Sequence, residues 1–401
     1  MLRGGLALKI TVHRGTEQIG GCVTEIATDQ TRIILDFGTE LPDATGQTPP
    51  NTLLIDGVNF GKPACDAVLF SHYHADHTGL LDTILPGIPI IMGTVSKDIL
   101  LALYRLVRKD SVSKVEEAIA VPALKPFTIG DLQITRIPVD HSAYDAAMFL
   151  VNNGEQKVLF TGDFRFHGFR GKASDTIVQK YVGGVDVLIT EGTLLSRLNV
   201  PVLSEFDIQE LIKAVVKKYK YVFALCSSTN VDRLGIFHNN TPPKRYFVCD
   251  RYQKEIFDII ADASPSDYYK FRKALTYGSN LDLRLKQKGF VMLVRKGSML
   301  KEFMRQYEND NQAVLIYSMW NGYLDGRDQE LSRLVKPFQA SGRFEMLHTS
   351  GHAPLDDILK LISWTNPKTI IPVHTEAGEV LAKGNMRENV VLLDDGESFL
   401  V

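Results

Sequence analysis

An α/β fold that gathers metal ligands at the carboxyl ends of its strands is what this 401-residue sequence predicts. Three observations point there. Several apolar runs of strand length each end on a His, Asp or Glu. One such end, His72-Tyr73-His74-Ala75-Asp76-His77, packs three imidazoles and a carboxylate into six residues, which ordinary packing does not explain. The alternation of strand-like and helix-like segments also breaks off near Leu195 and resumes after about Arg343, so a second unit is inserted into the first.

Taken in order, Ile33-Ile34-Leu35 reads as a strand ending at Asp36, a carboxylate suited to orienting a ligand imidazole. Ala67-Val68-Leu69-Phe70 is a buried strand bounded by Ser71, and Thr78-Gly79-Leu80-Leu81 is expected to begin a helix. The six-residue run then lies on a strand-to-helix loop, where side chains of unequal length can converge; a regular strand would send alternate ones to opposite faces. Leu132 to Val139 leads into Asp140-His141, Lys157 to Phe160 into Thr161-Gly162-Asp163, and Val185 to Thr190 into Glu191. Near the end, a helix from Leu355 to Thr365 precedes a strand from Thr369 to Val373 that stops at His374. Open α/β sheets build their sites at such strand ends. Zinc binds neutral imidazole and ionised carboxylate at about 2.0 to 2.2 Å and keeps a position open in catalytic sites, which this donor set suits.

Asn199-Val200-Pro201 and Ser341-Gly342-Arg343 mark the edges of the insert, giving segments 1–198, 199–343 and 344–401. Inside it, a helix from Glu205 to Lys220 and strands Tyr221 to Leu225 and Gln312 to Tyr317 predict a small α/β unit facing the metal site across a cleft. Formal net charge is only -2, yet Glu205 to Glu302 holds 18 Lys and Arg against 11 Asp and Glu. Lys213, Lys217, Lys218, Lys220, Lys270, Arg272, Lys273, Arg284, Lys286 and Lys288 could together neutralise phosphates, although for any single one of them a solvated helical face is the leading reading. Tyr219, Tyr221, Tyr268, Tyr269 and Phe271 suit base stacking or core packing. Cys22, Cys65, Cys226 and Cys249 are scattered without a C-x-x-C pair, so a disulfide framework is not expected. Met1 to Val12 has no leader-like apolar run and no segment approaches membrane-spanning length, so a cytoplasmic protein without membrane contact is the expectation.

His72-x-His74-x-Asp76-His77, then His141 and Asp163, resembles the metallo-β-lactamase fold. Glu191, His352 in Leu347-His348-Thr349-Ser350-Gly351-His352-Ala353, and His374 in Ile371-Pro372-Val373-His374 resemble motifs A, B and C of its β-CASP subfamily, which includes ribonuclease J, the polyadenylation endonuclease and Artemis. Gly15 to Cys22 and Gly162-Asp163-Phe164-Arg165 are supporting matches, and the resemblance spans nearly the whole chain. It implies a metallo-β-lactamase αββα sandwich with an inserted α/β β-CASP domain. It further implies two zinc ions, or another divalent metal: His72, His74 and His141 on one, Asp76, His77 and His374 on the second, Asp163 bridging. In that picture hydroxide generated at the metals attacks a phosphodiester, His352 protonates the departing oxygen and Glu191 orients it, with Asp76 also serving catalysis. His348, Ser350 and Gly351 are expected to grip a neighbouring phosphate, and Arg233 either does so or braces the insert. Single-stranded RNA is the expected substrate, and a homo-oligomer is allowed. Competing readings are a hydrolase of the same fold acting on a thioester, lactone or small phosphodiester, a DNA-directed nuclease, and a binding subunit without activity.

Overall fold

The computed structural model describes residues 7–43, 45–108, 111–383 and 389–401; residues 1–6, part of the opening segment read as leaderless, lie outside it. Among the described residues the strands form three sheets. The first runs Ser398–Leu400, Lys9–Arg14, Val23–Ala27, Arg32–Leu35, Ala67–Leu69, Ile90–Gly93, Ile119–Val121. The second runs Thr369–Val373, Val187–Glu191, Lys157–Phe160, Ala147–Asn152, Leu132–Pro138, Phe127–Ile129.

These two sheets face each other because their strands are apolar on both sides. Ile33, Leu35, Ala67 and Leu69 of the first join Val158, Phe160, Val187 and Ile189 of the second in one core. The residues between them, Ile34, Val68, Leu159 and Leu188, point outward into a second core with helix residues such as Ile99, Leu100, Val178 and Leu361. Side chains alternate across a strand, so each continuous apolar run supplies both layers at once. The result is helix on sheet on sheet on helix. Full burial of one such aliphatic side chain contributes about 1.5 to 3 kcal/mol.

The third sheet orders Ala274–Thr276, Tyr246–Cys249, Phe290–Val294, Tyr221–Cys226, Ala313–Ser318, Phe344–Met346, every pairing parallel. Its last strand lies past the Ser341-Gly342-Arg343 turn. Helices Glu205–Lys218 and Val231–Asn239 cover one face, while Leu300–Arg305 and Gln329–Ala340 cover the other. Ser204 and Asp207 form a reciprocal capping box that fixes where the first of these helices begins.

Because these strands are parallel, one edge of the sheet collects all their carboxyl ends, and that edge meets the half built from the first two sheets. The Val231 amide donates to the Ser142 carbonyl, and the Tyr73 hydroxyl to the Thr229 carbonyl. A buried charge network completes the junction: Arg165 pairs with Glu205 at 3.0 Å and Asp232 at 2.8 Å, and Arg233 pairs with Glu205 at 3.1 Å.

This direction corrects the expected phosphate-neutralising face. Tyr221, Phe290 and Ala313 start three strands in register. Lys218, Lys220, Lys286 and Lys288 cluster around those amino ends, the Lys286 carbonyl accepting from the Tyr221 hydroxyl. A strand rises about 3.3 Å per residue, so these lysines stand roughly 17 Å from the edge that meets the half built from the first two sheets. Lys270 is spent on the Ala261 and Ser264 carbonyls and Arg272 on Asp267.

Most predicted elements form within a residue or two; Leu355–Thr365 and Thr369–Val373 form at the predicted bounds. The expected helix start at Thr78 is wrong. A four-residue helix, Ala75–Thr78, already contains Asp76 and His77 and ends at Gly79, because the His74 carbonyl accepts from the His77 and Thr78 amides. No described helix is long and apolar enough to cross a membrane.

Candidate metal centre

The strand ends deliver their side chains to one place. After Ala67–Leu69 the chain turns through Ser71, and His72, His74, Asp76 and His77 are aimed by the turn and the short helix that follows. Asp163 arrives from the strand Lys157–Phe160 and His374 from Thr369–Val373, with His374 at φ +53°. Asp36 sits at φ +59°. The left-handed region costs a non-glycine residue of order 1 to 3 kcal/mol, and here it turns each side chain off its strand axis toward the centre.

Three groups of donor atoms result among the described residues, each with all atoms within 4.8 Å of one another: His72, His74, His141, Asp163, then Asp76, His77, Asp163, His374, and beside them Asp163, Glu191, His352, His374. In the first, His74 Nδ1 lies 3.0 Å from His72 Nε2 and 3.2 Å from His141 Nε2. Donors in tetrahedral array at zinc bond lengths stand about 3.3 Å apart. In the second, His77 Nε2 is 3.2 Å from Asp163 Oδ2, and His374 Nε2 is 3.4 Å from Asp76 Oδ2.

Protonation decides whether these atoms repel or bind. The His77 Nδ1–H donates to Asp36 Oδ2 at 2.7 Å, and the His141 Nδ1–H donates to the Gly351 carbonyl at 2.7 Å. The Ser71 hydroxyl donates to Asp36 Oδ2 and so accepts from His72 Nδ1 at 3.0 Å. His374 Nδ1 meets the Thr193 hydroxyl at 2.8 Å. With their Nδ1 atoms occupied, His72, His77, His141 and His374 turn Nε2 inward. Burial first, and crowding by the other imidazoles second, holds His72 well below the ordinary imidazole range; burial likewise lowers His141 far and brings His74 to about 4. Three neutral imidazoles thus aim lone pairs at one point, which a cation satisfies and a proton does not. Asp163 Oδ1 is buried without a hydrogen-bond partner among the described residues, and burial disfavours charge on Asp76 and Asp163, but the His77 charge first, and the adjacent His374 imidazole after it, hold both carboxyls below their ordinary range. These donors fit a dinuclear zinc site with Asp163 common to both ions.

Beside the centre, Glu191 is 1% exposed. Its Oε1 accepts from the Phe164 amide at 2.9 Å and the Ala353 amide at 3.3 Å, and its Oε2 lies 3.1 Å from His352 Nδ1. Burial disfavours a charge on His352, but the Glu191 and Asp163 carboxylates outweigh it and raise the imidazole to about 9. Thr193 Oγ1 touches both His352 Nδ1 and His374 Nδ1, at 3.2 and 2.8 Å.

A beta-lactamase superfamily domain matches residues 32–220, and a Zn-dependent metallo-hydrolase RNA specificity domain matches residues 338–383. Ribonuclease J of Helicobacter pylori strain J99 is 22% identical over 442 residues, covering 99% of this chain and 61% of the relative. The chain therefore spans about 61% of the length of that protein. Ribonuclease J of Mycobacterium tuberculosis strain CDC 1551 is 22% identical over 435 residues, covering 98% of this chain and 74% of the relative. The crystal structure of a protein of unknown function from Enterococcus faecalis V583 superposes with a TM-score of 0.75 at 22% identity, covering 98% of this chain and all of that one. The chain thus carries a beta-lactamase superfamily domain and an RNA specificity domain of Zn-dependent metallo-hydrolases, the arrangement expected from its resemblance to the β-CASP subfamily.

Within this β-CASP-like arrangement, the segment matching the RNA specificity domain carries His348, Ser350, Gly351, His352 and His374. Of the two readings of Arg233, bracing holds and phosphate binding is corrected. This side chain is fully buried, with its Nη1 on Ser318 Oγ and the Leu347 carbonyl and its remaining donors on Glu205, so it has nothing to offer a phosphate and braces the insert instead. His348 lies beside Arg233, and burial and that charge lower its imidazole to about 3, so it stands there neutral. Gly351 turns its carbonyl to His141 rather than only an amide to solvent. The Ser350 hydroxyl accepts from the His352 amide at 3.1 Å, and the Ser350 carbonyl accepts from Arg165 and His167. Sequence reading found Asp36 because it ends a strand, and missed Ser71, Thr193 and the Gly351 carbonyl. A lone hydroxyl or a main-chain oxygen leaves no pattern to find.

Proposed function

We propose that this protein is a zinc-dependent β-CASP nuclease that hydrolyses phosphodiester bonds in single-stranded RNA. The observation that carries this reading is the pairing of two donor groups through Asp163 with an imidazole, His352, held over them by Glu191. Two zinc ions, bound by His72, His74, His141 and by Asp76, His77, His374 with Asp163 between, would acidify a water and offset charge on the phosphate.

The chain's own groups supply the rest. His352 commits Nδ1 to Glu191, which leaves Nε2 to hand a proton to the departing oxygen. Glu191 keeps that imidazole charged until the proton is needed. Asp76, with its side chain 15% exposed, stands at the open side of the centre where a phosphodiester would enter. Ser350, the backbone beside Gly351 and a neutral His348 lie on the same short segment as His352, where they would meet a neighbouring phosphate. The names of the ribonuclease J relatives and of the matched RNA specificity domain support RNA as the polymer. The four free cysteines support a reducing compartment, the cytoplasm.

The test is digestion of 5′-phosphorylated and 5′-hydroxyl RNA and DNA oligomers by zinc-loaded protein. RNA should be cut, and His74→Ala should abolish cutting while RNA binding persists. Zinc-loaded protein that cuts neither polymer would refute the reading.

A further inference from the structure

Lysines at the wrong edge of the insert leave open how a strand of nucleic acid is held near the metal groups. One loop at the correct edge has the needed chemistry. It follows the strand Ala313–Ser318 and runs through Trp320 and Tyr323 to Arg327. Its apolar residues divide: Met319 and Leu324 pack into the insert's core, whereas Trp320 and Tyr323 belong to none of the described hydrophobic clusters. Tyr323 is 38% exposed.

What surrounds the two rings is cationic. The Arg197 guanidinium lies 5.3 Å from the Trp320 ring centre and that of Arg327 4.9 Å, while Tyr323 meets Trp320 edge to face at 5.5 Å. The geometry is held on purpose by its neighbours. The Tyr317 hydroxyl donates to the Trp320 carbonyl at 2.8 Å, and a Cβ at Gly322 would come within 2.3 Å of the Trp320 ring, so only glycine lets the indole lie against the backbone.

The loop meets the metal-binding half at two points. Arg197 is reached directly from Glu191 and Thr193. On the other side, the backbone at Gly46 presses so closely on the Arg327 carbonyl that no Cβ fits, which ties the loop to the metal-binding half. Burial chiefly, and the Asp76 charge after it, raise the Tyr323 phenol above its ordinary value. Finally, Arg327 Nε has no hydrogen-bond partner among the described residues, its Asp325 carboxylate standing off at 3.6 Å.

Resting on the nuclease reading, we infer that Trp320 and Tyr323 form a stacking wall for an unpaired nucleobase on the Asp76 side of the centre, with Arg197 and Arg327 taking the adjoining phosphate. Such a wall admits single strands and rejects duplexes, whose bases are already stacked.

The chain has two tryptophans, so Trp364→Phe leaves fluorescence reporting on Trp320 alone. Zinc-loaded Trp364→Phe protein is titrated with a phosphorothioate-linked single-stranded RNA 10-mer and with its blunt duplex. The single strand should quench Trp320 saturably and the duplex should not. Trp320→Leu and Tyr323→Leu should each weaken single-strand binding about 5- to 150-fold, the range for losing one stacked base, and raise KM more than they lower kcat. Trp320→Phe, which keeps a ring, should bind close to the parent; this decides the matter if the leucine variants melt early. Leucine variants that bind and cut like the parent, or binding without quenching, overturn the wall while leaving the nuclease reading intact. Parent protein that neither binds nor cuts any oligomer overturns both.

Discussion

Glu191 binds two backbone amides through one carboxylate oxygen and His352 through the other, so its charge is fixed beside the imidazole rather than free to swing away. The consequence is a titration that can be followed. In protein stripped of metal, burial opposes the imidazolium but Glu191 and Asp163 prevail, and His352 titrates at about 9 instead of 6.5. A raised folded-state pKa means that the charged form favours folding: the contribution is complete below about pH 6.5 and lost as pH rises through about 9. Glu191→Gln keeps an oxygen for the Phe164 amide and removes the charge. The imidazole resonance of His352, followed by NMR in chelated protein, should then titrate well below its parent value. An unshifted titration would assign the effect to Asp163 alone and remove Glu191 from its proposed role. At this scale the sequence was legible where chemistry is rare: clustered His and Asp residues have few other uses. It was silent where chemistry is common, as with Thr193, a hydroxyl two residues past Glu191 that reaches both His352 and His374.

Strands were legible because a segment buried on both faces must be apolar throughout, and Thr369–Val373 and Lys157–Phe160 have no other reading. Their direction within the insert was not legible, so lysines near one another in sequence were expected at the cleft and stand at the opposite edge. The junction between the two halves was mostly hidden: bracing was one reading of Arg233, but Arg165, Glu205 and Asp232 come from separate elements and look like surface charge in sequence. In the structure all four are fully buried, and Glu205 accepts from two guanidiniums at once. Removing it leaves Arg165 and Arg233 in low dielectric with one partner fewer each. Glu205→Ala should therefore cost about 3 to 5 kcal/mol of stability, read as a lower denaturant midpoint, with Glu205→Gln costing less because it retains an acceptor. A variant that unfolds like the parent would mean that water reaches the network and that it does not lock the insert in place.

The metal centre is assembled from the whole length of the chain, and its two halves depend on that length unequally. His72, His74, His141 and Asp163 all come from the stretch before the insert, whereas the second group is completed by His374, which enters after the insert has returned. His374 is also set by a distant contact: its amide donates to the Gly15 carbonyl at 2.7 Å, and Gly15 and Thr16 are in turn gripped by Asp395. Loading of the second ion is thus linked to docking of the C-terminal strand, while loading of the first is not. His374→Ala should lower bound zinc, measured by elemental analysis after dialysis, from two ions per chain to one. Zinc should still protect the variant against thermal unfolding, because a ligand at a hundredfold excess over its Kd adds about 2.7 kcal/mol per site and one site remains. His141→Ala, by contrast, strips the first group and leaves Asp76, His77 and His374 in place. If either substitution alone empties both positions, Asp163 couples the ions so tightly that they bind as one unit, and the division into an early and a late group is wrong.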